Sequence, residues 1–249
     1  MSKEKITKEV SSFYDVVWSK YLPQVEEQKE FLKKYIPNIK GKTILDAGCG
    51  TGVAAVCFKL LGAKEVYGID YSEGSLNTAK KLAKENNVKI NFKRDNLLDL
   101  NLSKKFDIVH SFGVLHHTAD AKLAFDNLIK LVKPKGKFYV ALYLKTNMTL
   151  IQQTARKTLR MLPKPMWIPI SKTINKILVR GSKKTKRGFG QEGDAEGDML
   201  DWFFVPQRTH HTPEETRLWF REHNMKSKLL IGKTGRYAST SNYLMVGYK

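Results

Sequence analysis

Short apolar segments alternate with helix-patterned segments over the first 145 residues of the chain. Residues 43–47 form an apolar run that leads into glycines, and residues 53–61 follow with the apolar spacing of a helix. The pattern recurs, with predicted strands at 65–70, 88–92, 106–109 and 137–144 and predicted helices at 76–84 and 123–131. Strands separated by crossover helices predict a mostly parallel sheet, in which ligands bind at the carboxyl ends of the strands.

The alternation stops after residue 144, and the irregular part that follows is too long for a plain loop. Residues 150–162 and 168–178 predict two basic amphipathic helices separated by prolines. Glycines interleaved with acidic residues between 188 and 197 predict a flexible stretch. We interpret this part of the chain as a cap inserted into the fold.

Regular structure returns at Thr212-Pro213-Glu214-Glu215. Thr212 can cap a helix, proline suits the first helical position, and Glu215 can complete a capping box. Residues 227–231 and 243–248 are two further apolar runs, close enough along the chain to pair as an antiparallel hairpin. This hairpin would complete the sheet.

These elements predict an α/β fold with a doubly wound, mostly parallel, seven-stranded sheet and an inserted helical cap. The length of 249 residues suits one such domain. We expect a catalytic core with an N-terminal lid helix in residues 1–145 and the basic cap in residues 146–205. Residues 206–249 would form the return helix and the final strands.

Composition places the chain among globular proteins, with 41% hydrophobic and 27% charged residues. Its two cysteines, Cys49 and Cys57, fall in one predicted buried segment and cannot build a disulfide framework or a four-ligand zinc site. The N-terminus lacks the apolar stretch of a secretory signal, and the longest apolar run, residues 138–144, is too short for a membrane span. We therefore expect a cytoplasmic protein without a transmembrane segment.

The formal net charge of +20 is unevenly distributed. Residues 146–190 contain eleven lysines and arginines and no aspartate or glutamate, whereas residues 191–201 contain five acidic residues and no basic ones. A stretch of this length without a carboxylate produces a local positive field. We would therefore look for the binding site of an anionic partner in residues 146–190.

The strongest chemical signal is the segment Asp46-Ala47-Gly48-Cys49-Gly50-Thr51-Gly52. A strand that turns through alternate glycines lets the backbone approach a ligand while the next helix presents its N-terminal amides. The dinucleotide pattern would need its third glycine at position 53, which is valine here, and no Gly-Lys-Ser/Thr is present for a triphosphate. Asp70 ends the second predicted strand, twenty residues after Gly50, where a carboxylate can accept both hydroxyls of a ribose.

With these residues the chain resembles the class I S-adenosylmethionine-dependent methyltransferases over about residues 40–145. Arg94-Asp95-Asn96, residues 106–109 and residues 131–136 add to the resemblance. It implies that Gly48 and Gly50 lie along the methionine part of the cofactor, and that Asp46 helps to hold its ammonium group. It further implies that Asp70 binds the ribose, that Tyr71 packs over the adenine, and that Asp95 accepts a hydrogen bond from the adenine amine. The remaining members of the implied cofactor-binding set are Gly52 and Asn96.

The segment after the fourth strand, Ser111 to Thr118, would face the transferable methyl group. It lacks the Asn/Asp-Pro-Pro-aromatic motif of amino-methylating nucleic-acid enzymes, and no cysteine lies near it for cytosine-C5 chemistry. Leu115-His116-His117 resembles the small-molecule and quinone-type methyltransferases. His116 or His117 is a candidate general base, because imidazole titrates near neutral pH. Alternatively, one histidine caps the strand by bonding to backbone and the other packs on the cofactor.

Two aromatic segments supply candidates for substrate binding. Tyr14 and Trp18 resemble the lead segment that closes over the cofactor in related enzymes, and they could equally pack on the core. Residues 201–206, which include Trp202, combine aromatic and acidic groups. The residues that follow and could share the acceptor pocket are Arg208, His210 and His211. These histidines lack the carboxylate spacing of a metal site, so no metal is predicted.

We expect methyl transfer from S-adenosyl-L-methionine to oxygen or carbon of a small acceptor, which can be lipophilic. The amphipathic residues 167–180 would then roof an apolar pocket or rest on an anionic membrane surface, making the protein membrane-peripheral. An RNA methyltransferase is the alternative, with Arg156, Lys157, Arg160 and residues 183–187 neutralising phosphates. A third possibility is a non-catalytic partner protein that binds the cofactor.

Overall fold

The computed structural model describes residues 2–17, 25–146, 149–178, 184–187, 191–194, 200–201, 203–232 and 242–248. The strands are β1 (Thr43–Ala47), β2 (Glu65–Asp70), β3 (Asn91–Arg94), β4 (Phe106–Phe112), β5 (Val132–Tyr143), β6 (Lys184–Arg187), β7 (Gln191–Asp194), β8 (Lys226–Ile231) and β9 (Asn242–Tyr248). The helices are α1 (Lys3–Val17), α2 (Val25–Tyr35), α3 (Val53–Leu60), α4 (Glu73–Glu85), α5 (Ala121–Ile129), α6 (Thr149–Leu159), α7 (Trp167–Leu178) and α8 (Pro213–Glu222). Short 3-10 turns span Leu115–His117 and Lys164–Met166.

The main sheet has seven strands in the order β3-β2-β1-β4-β5-β9-β8. The first five are parallel to one another, and β9 runs antiparallel to both β5 and β8. The predicted doubly wound, mostly parallel sheet and its final hairpin are confirmed. The strand order reverses between β1 and β4, so the loops that follow these two strands meet at one edge of the sheet.

Both faces of the sheet are covered by helices. Along β1, Leu45 and Ala47 pack into a core with α5 and α8, whereas Ile44 packs into a second core with α2 and α3. This alternation follows from the two-residue period of a strand. Helix α8 begins with the predicted capping box, because Thr212 accepts from the amide of Glu215 and Glu215 accepts from the amide of Thr212.

Several segments differ from the sequence prediction, among them β4, which continues to Phe112 rather than ending at residue 109. Strand β3 begins at Asn91 rather than residue 88, because its pairing with β2 runs from Asn91 opposite Tyr67 to Arg94 opposite Asp70. Strand β5 begins at Val132, which pairs with Phe106 across a register shift. Strand β7 falls in the predicted flexible stretch and pairs with β6, which precedes that stretch, as an antiparallel two-stranded ribbon.

Helix α6 and the residue that follows it are attached to the chain beyond the basic segment. The guanidinium of Arg156 donates to the carbonyl of Val205 at 2.7 Å, and Arg160 donates to that of Pro206 at 2.6 Å. Within the described ranges, no helix is both long and apolar enough to cross a membrane.

The N-terminal helix α1 lies against the edge of the sheet where β2 and β4 end. Lys3 forms an ion pair with Asp120, the N-cap of α5, at 2.8 Å. Near the other end of α1, Asp15 accepts a hydrogen bond from Ser72, the N-cap of α4. Helix α1 is therefore anchored to the starts of two core helices.

Candidate active site

The glycine loop after β1 is a tight turn held against β2. Gly48, Gly50 and Gly52 all have positive φ angles, of 73°, 51° and 79°, which glycine adopts without strain. The amides of Gly48 and Cys49 both donate to the carbonyl of Ile69, at 2.8 and 2.9 Å. Space is open above Gly50, where an added Cβ would meet no atom within 4 Å. The loop therefore offers bare backbone to a ligand at the carboxyl end of the sheet.

Asp70 joins this loop to the end of β2. Its carboxylate accepts from the amide of Gly50 at 2.8 Å and from the amide of Ser72 at 2.9 Å. Burial raises the pKa of Asp70, although the amide donors oppose this shift. Each carboxylate oxygen accepts one of these amides and has capacity for a further donor. The two motifs that the sequence placed twenty residues apart thus form one contiguous site.

The other cofactor candidates lie at the β3 side of the sheet. Asp95 is buried, accepts from the amides of Asn96 and Asn101 and bonds Lys93 at 3.0 Å. The ring of Tyr71 lies under the guanidinium of Arg94, at 4.8 Å from the ring centroid. The side chain of Asn96 accepts from the amide of Leu98. These residues follow β2 and β3, so they lie on the side of the sheet that is away from β4.

Asp46 has a partner that the sequence reasoning missed. Its Oδ1 lies 2.7 Å from Nδ1 of His110 on the adjacent strand β4, and both side chains are 3% exposed. The other carboxylate oxygen of Asp46 is buried without a hydrogen-bond partner among the described residues. A donor such as an ammonium group would satisfy this oxygen.

The two candidate bases, His116 and His117, follow β4 in a buried 3-10 turn. Nδ1 of His116 accepts from the amide of Tyr143 at 3.2 Å, so a neutral His116 carries its proton on Nε2. Nδ1 of His117 lies 2.9 Å from the carbonyl of Gln207, so a neutral His117 carries its proton on Nδ1 and a lone pair on Nε2. Backbone contacts therefore give the two rings opposite tautomers.

Burial lowers the pKa of both histidines. For His117 the value is about 4, because loss of hydration outweighs the opposing effects of Asp201 and of the Gln207 carbonyl. For His116, burial and the charges of its neighbours lower the pKa well below its usual value. Both rings are consequently neutral at physiological pH.

Asp201 lies at the centre of a buried polar cluster beside His117. Tyr14 from α1 donates to one carboxylate oxygen at 2.6 Å, and Tyr143 from the end of β5 donates to the other at 2.7 Å. Nε2 of His117 is 3.8 Å from the same carboxylate. Burial alone would raise the pKa of Asp201, but His117, Arg208 and the two phenols hold it below its usual value.

The candidates that follow the cap lie around the Tyr143 ring and beside α8. The guanidinium of Arg208 is 3.9 Å from the Tyr143 ring centroid, and the His210 ring is stacked on that ring at 6.0 Å. His211 contacts Thr209 through Nε2 at 2.9 Å and lies 3.5 Å from Glu215. The structure thus brings Arg208 and His210 together with His116. His211 lies apart from this group, beside Glu215 of α8.

Some predicted residues cannot be placed. Trp18, Trp202 and Lys183 lie outside the described residues. His110 and Tyr143 were absent from the predicted site, and Asp201 entered it only as part of an aromatic segment. The one available signal for His110 and Tyr143 was that each is a polar residue inside an apolar run, in β4 and β5 respectively.

The sequence comparisons match methyltransferases. The ubiquinone biosynthesis O-methyltransferase of Rickettsia bellii is 34% identical over 107 residues, which cover 43% of this chain and 44% of that protein. The ribosomal protein L11 methyltransferase of Dictyoglomus turgidum is 30% identical over 130 residues, which cover 52% of this chain and 41% of that protein. The match thus spans less than half the length of these curated relatives.

Solved structures share the fold over most of the chain. Magnesium protoporphyrin IX methyltransferase from Synechocystis PCC 6803 with bound SAH superposes with a TM-score of 0.56 and 17% identity, covering 90% of this chain and 81% of that one. A DhpI–SAM–HEP complex superposes with a TM-score of 0.61 and 14% identity, covering 100% of both chains. A family model described as a methyltransferase domain matches residues 38–188, which is more than half of the sequence. The chain therefore belongs to this methyltransferase domain family.

Proposed function

We propose that this protein transfers the methyl group of S-adenosyl-L-methionine to an oxygen or carbon atom of a small acceptor. The observation that carries the proposal is the hydrogen bond between Gly50 and Asp70, which joins an open glycine loop to a partly buried carboxylate. Gly50 lies in the loop after β1, beside the reversal of strand order, and Asp70 ends the adjacent strand β2 at the same carboxyl edge, where sheets of this kind bind ligands.

The residues at this edge suit the parts of the cofactor. Asp70 can accept from the ribose hydroxyls, and the unpartnered oxygen of Asp46 can accept from the ammonium group. Tyr71 and Asp95, on the β3 side, would cover the adenine and accept from its amine. Gly48, Gly52 and Asn96 complete the cofactor-binding set. When bound, the cofactor supplies an electrophilic methyl group that needs no further activation.

His117 is the residue best suited to take a proton from the acceptor. Its Nε2 has a lone pair and faces the Asp201 carboxylate. Both groups are hydrogen-bond acceptors, so no hydrogen bond joins them. An acceptor hydroxyl placed here could donate to His117, and Asp201 would stabilise the imidazolium that results. His116 cannot act in the same way, because Nδ1 already accepts from the Tyr143 amide. Its role would be to hold the end of β5.

Tyr14, Trp18, Trp202, Arg208, His210 and His211 remain the proposed acceptor-binding set. The Tyr14–Asp201 hydrogen bond connects the lid helix to the last part of the cap. Closure of α1 would exclude water from the methyl group and orient the acceptor. The chain would then divide into a core of residues 1–145, a cap of residues 146–205 and a return segment of residues 206–249.

Calorimetry with S-adenosylhomocysteine and a turnover assay test this proposal. We expect the wild-type protein and an Asp99→Ala control, which alters an exposed acid near the site, to bind equally, and Asp70→Ala to lose binding. Release of S-adenosylhomocysteine from S-adenosylmethionine in the presence of cell metabolites would demonstrate turnover. Binding without turnover in any extract would favour the non-catalytic partner protein, and no binding would overturn the assignment.

One observation favours peripheral contact of the cap with an anionic membrane. Leu150, Ile151 and Met161 are 73%, 61% and 81% exposed, in a segment that contains no carboxylate from residue 146 to 190. Apolar side chains among cations suit insertion between anionic headgroups. Such contact would give the enzyme access to a lipophilic acceptor.

Sedimentation with vesicles distinguishes this contact from RNA binding. We expect Met161→Asp to weaken binding to phosphatidylglycerol vesicles about tenfold or more, since one buried side chain contributes about 1.5–3 kcal/mol. Leu218→Asp changes an exposed leucine of α8 and should have no such effect. Tight binding to RNA, with vesicle binding that does not depend on Met161, would instead support the RNA methyltransferase.

A further inference from the structure

Three nitrogen-bearing side chains surround the ring of Tyr143 beneath the cap. His116 lies with its ring centroid 3.8 Å from that of Tyr143, the guanidinium of Arg208 lies at 3.9 Å, and the ring of His210 is stacked at 6.0 Å. Tyr143 itself is buried, with 8% of its surface exposed. The proton transfer proposed for His117 does not use this shell.

The hydrogen bonds of the shell leave buried donors unsatisfied. Because Nδ1 of His116 accepts from the Tyr143 amide, the proton of the neutral ring is on Nε2. This Nε2 and both ring nitrogens of His210 are buried and have no hydrogen-bond partner among the described residues. A neutral imidazole always carries one N–H group, so at least two donors here point at no acceptor. Buried donors are normally paired, which indicates that a ligand supplies the acceptor.

The charge of the surroundings selects the kind of acceptor. Arg156 and Arg208 bring two positive charges to the cluster, and Asp201 brings one negative charge. Burial and then Arg208 lower the pKa of His210 to about 4, so this ring adds no charge near neutral pH. The described residues of the cluster therefore carry a net positive charge when its histidines are neutral. A negative ligand would offset this charge and accept from the unsatisfied N–H groups.

The shell borders a cavity. A space of about 580 Å³ has His210 in its wall, together with Lys145, Thr149, Gln153 and Trp219. Lys145 is exposed and adds a cation at the rim. The cavity volume is within the range that small-molecule ligands occupy. Because His210 is the member of the shell that lines this cavity, an acceptor molecule bound to His210 has room to extend along it.

We propose that the methyl acceptor carries an oxyanion, a carboxylate or phosphoryl group, which binds Arg208, His210 and His116 around Tyr143. This inference rests on the proposed methyltransferase function and names its class of substrate. The His116 and His117 rings are 4.3 Å apart. An acceptor held by its oxyanion in the shell thus has its reacting atom within reach of His117.

Histidine NMR on protein loaded with S-adenosylhomocysteine tests the inference. Sodium acetate and sodium phosphate are titrated separately at constant ionic strength, with sodium chloride as the blank. We expect saturable shifts of the ring carbon signals of His116 and His210. The signal of His223, which is bonded to Asp126 at 2.7 Å, should stay in place as an internal reference.

Variants separate this site from general attraction to a basic protein. Arg208→Gln should weaken anion binding at least tenfold, and Arg208→Lys should retain part of it. Arg217→Gln removes an exposed arginine of α8 and should leave binding unchanged. His210→Phe preserves a stacked ring without donors, so it tests the site again should Arg208→Gln fail to fold.

The outcomes are distinct. Saturation by acetate alone assigns a carboxylate acceptor, saturation by phosphate alone assigns a phosphoryl group, and saturation by both supports the shared oxyanion chemistry. Shifts that do not saturate, or that are equal in the wild type and in a folded Arg208→Gln or His210→Phe protein, overturn the inference. Failure to bind S-adenosylhomocysteine in calorimetry contradicts the proposed function instead, and the titration is then performed on the free protein.

Discussion

Replacing Asp70 with alanine should remove most of the affinity for S-adenosylhomocysteine. A hydrogen bond to a charged group contributes about 1.5–3 kcal/mol, and a carboxylate that binds both ribose hydroxyls makes two of them. Loss of both corresponds to about 3–6 kcal/mol. Because 1.4 kcal/mol is a tenfold change, the dissociation constant should rise at least about 100-fold.

The same substitution also disturbs the loop, since Gly50 and Ser72 lose the acceptor of their amides. Weaker binding alone would therefore not prove contact with the ribose. An analogue of S-adenosylhomocysteine without the 2′-hydroxyl separates the two effects. In the wild-type protein the analogue should bind more weakly than the parent nucleoside, whereas Asp70→Ala should no longer distinguish them, since contacting groups are not additive.

Titration calorimetry on both proteins with both ligands gives the four affinities of this cycle. Asp99→Ala is the matched control and should discriminate between the ligands as the wild type does. Our reasoning is refuted if Asp70→Ala retains the full wild-type preference for the 2′-hydroxyl. In that case Asp70 would serve only to fix the glycine loop.

Four further outcomes follow from the site and the core. His117→Asn should lower turnover about 10²–10⁴-fold with little change in S-adenosylhomocysteine affinity by calorimetry, because asparagine keeps a donor for Gln207 and loses the basic lone pair. With a pKa of His117 near 4, the rate with a hydroxyl acceptor should rise with pH through about 4 and be flat near 6.5 in a pH–rate profile. Gly52→Ala should lower the melting temperature, because its φ of 79° disfavours a side chain by about 1–2 kcal/mol and the added Cβ would lie 2.7 Å from Ala79. Thr43 and Lys133 hold the pKa of Asp107 at about 2 against the effect of burial. The contribution of Asp107 to stability is therefore present above about pH 4 and should be lost as the pH falls towards 2. Acid unfolding of Asp107→Asn should lack this pH-dependent loss of stability.

The geometry of the half proposed to bind the cofactor could be predicted because it is set by local rules. A strand, a glycine turn and a helix fix where Gly50 lies, and the parallel pairing of β1 with β2 places Asp70 beside it. Twenty residues separate these groups, and the intervening helix returns the chain to the same edge of the sheet. No information from distant segments was needed.

The acceptor half depends on contacts between distant segments. Asp201 meets Tyr14 across 187 residues and Tyr143 across 58, and neither pair shares a motif or a periodic pattern. The Asp46–His110 pair likewise depends on the register of β4 against β1, which places these two residues opposite each other. Sequence patterns specify which face of a strand is apolar but not which polar residue lies beside it.

The two halves of the site should consequently differ in how they tolerate change. The glycine loop and Asp70 belong to the carboxyl edge of the sheet, where the amides of Gly48, Cys49 and Gly50 already have partners. The proposed acceptor shell is assembled from the turn after β4, the end of β5 and the segment after the cap, which meet only in the folded chain. Substitutions in the cap and in the segment that follows it can therefore alter the acceptor while leaving the cofactor in place. A cap segment exchanged with a relative should accordingly change acceptor preference without changing the affinity for S-adenosylhomocysteine.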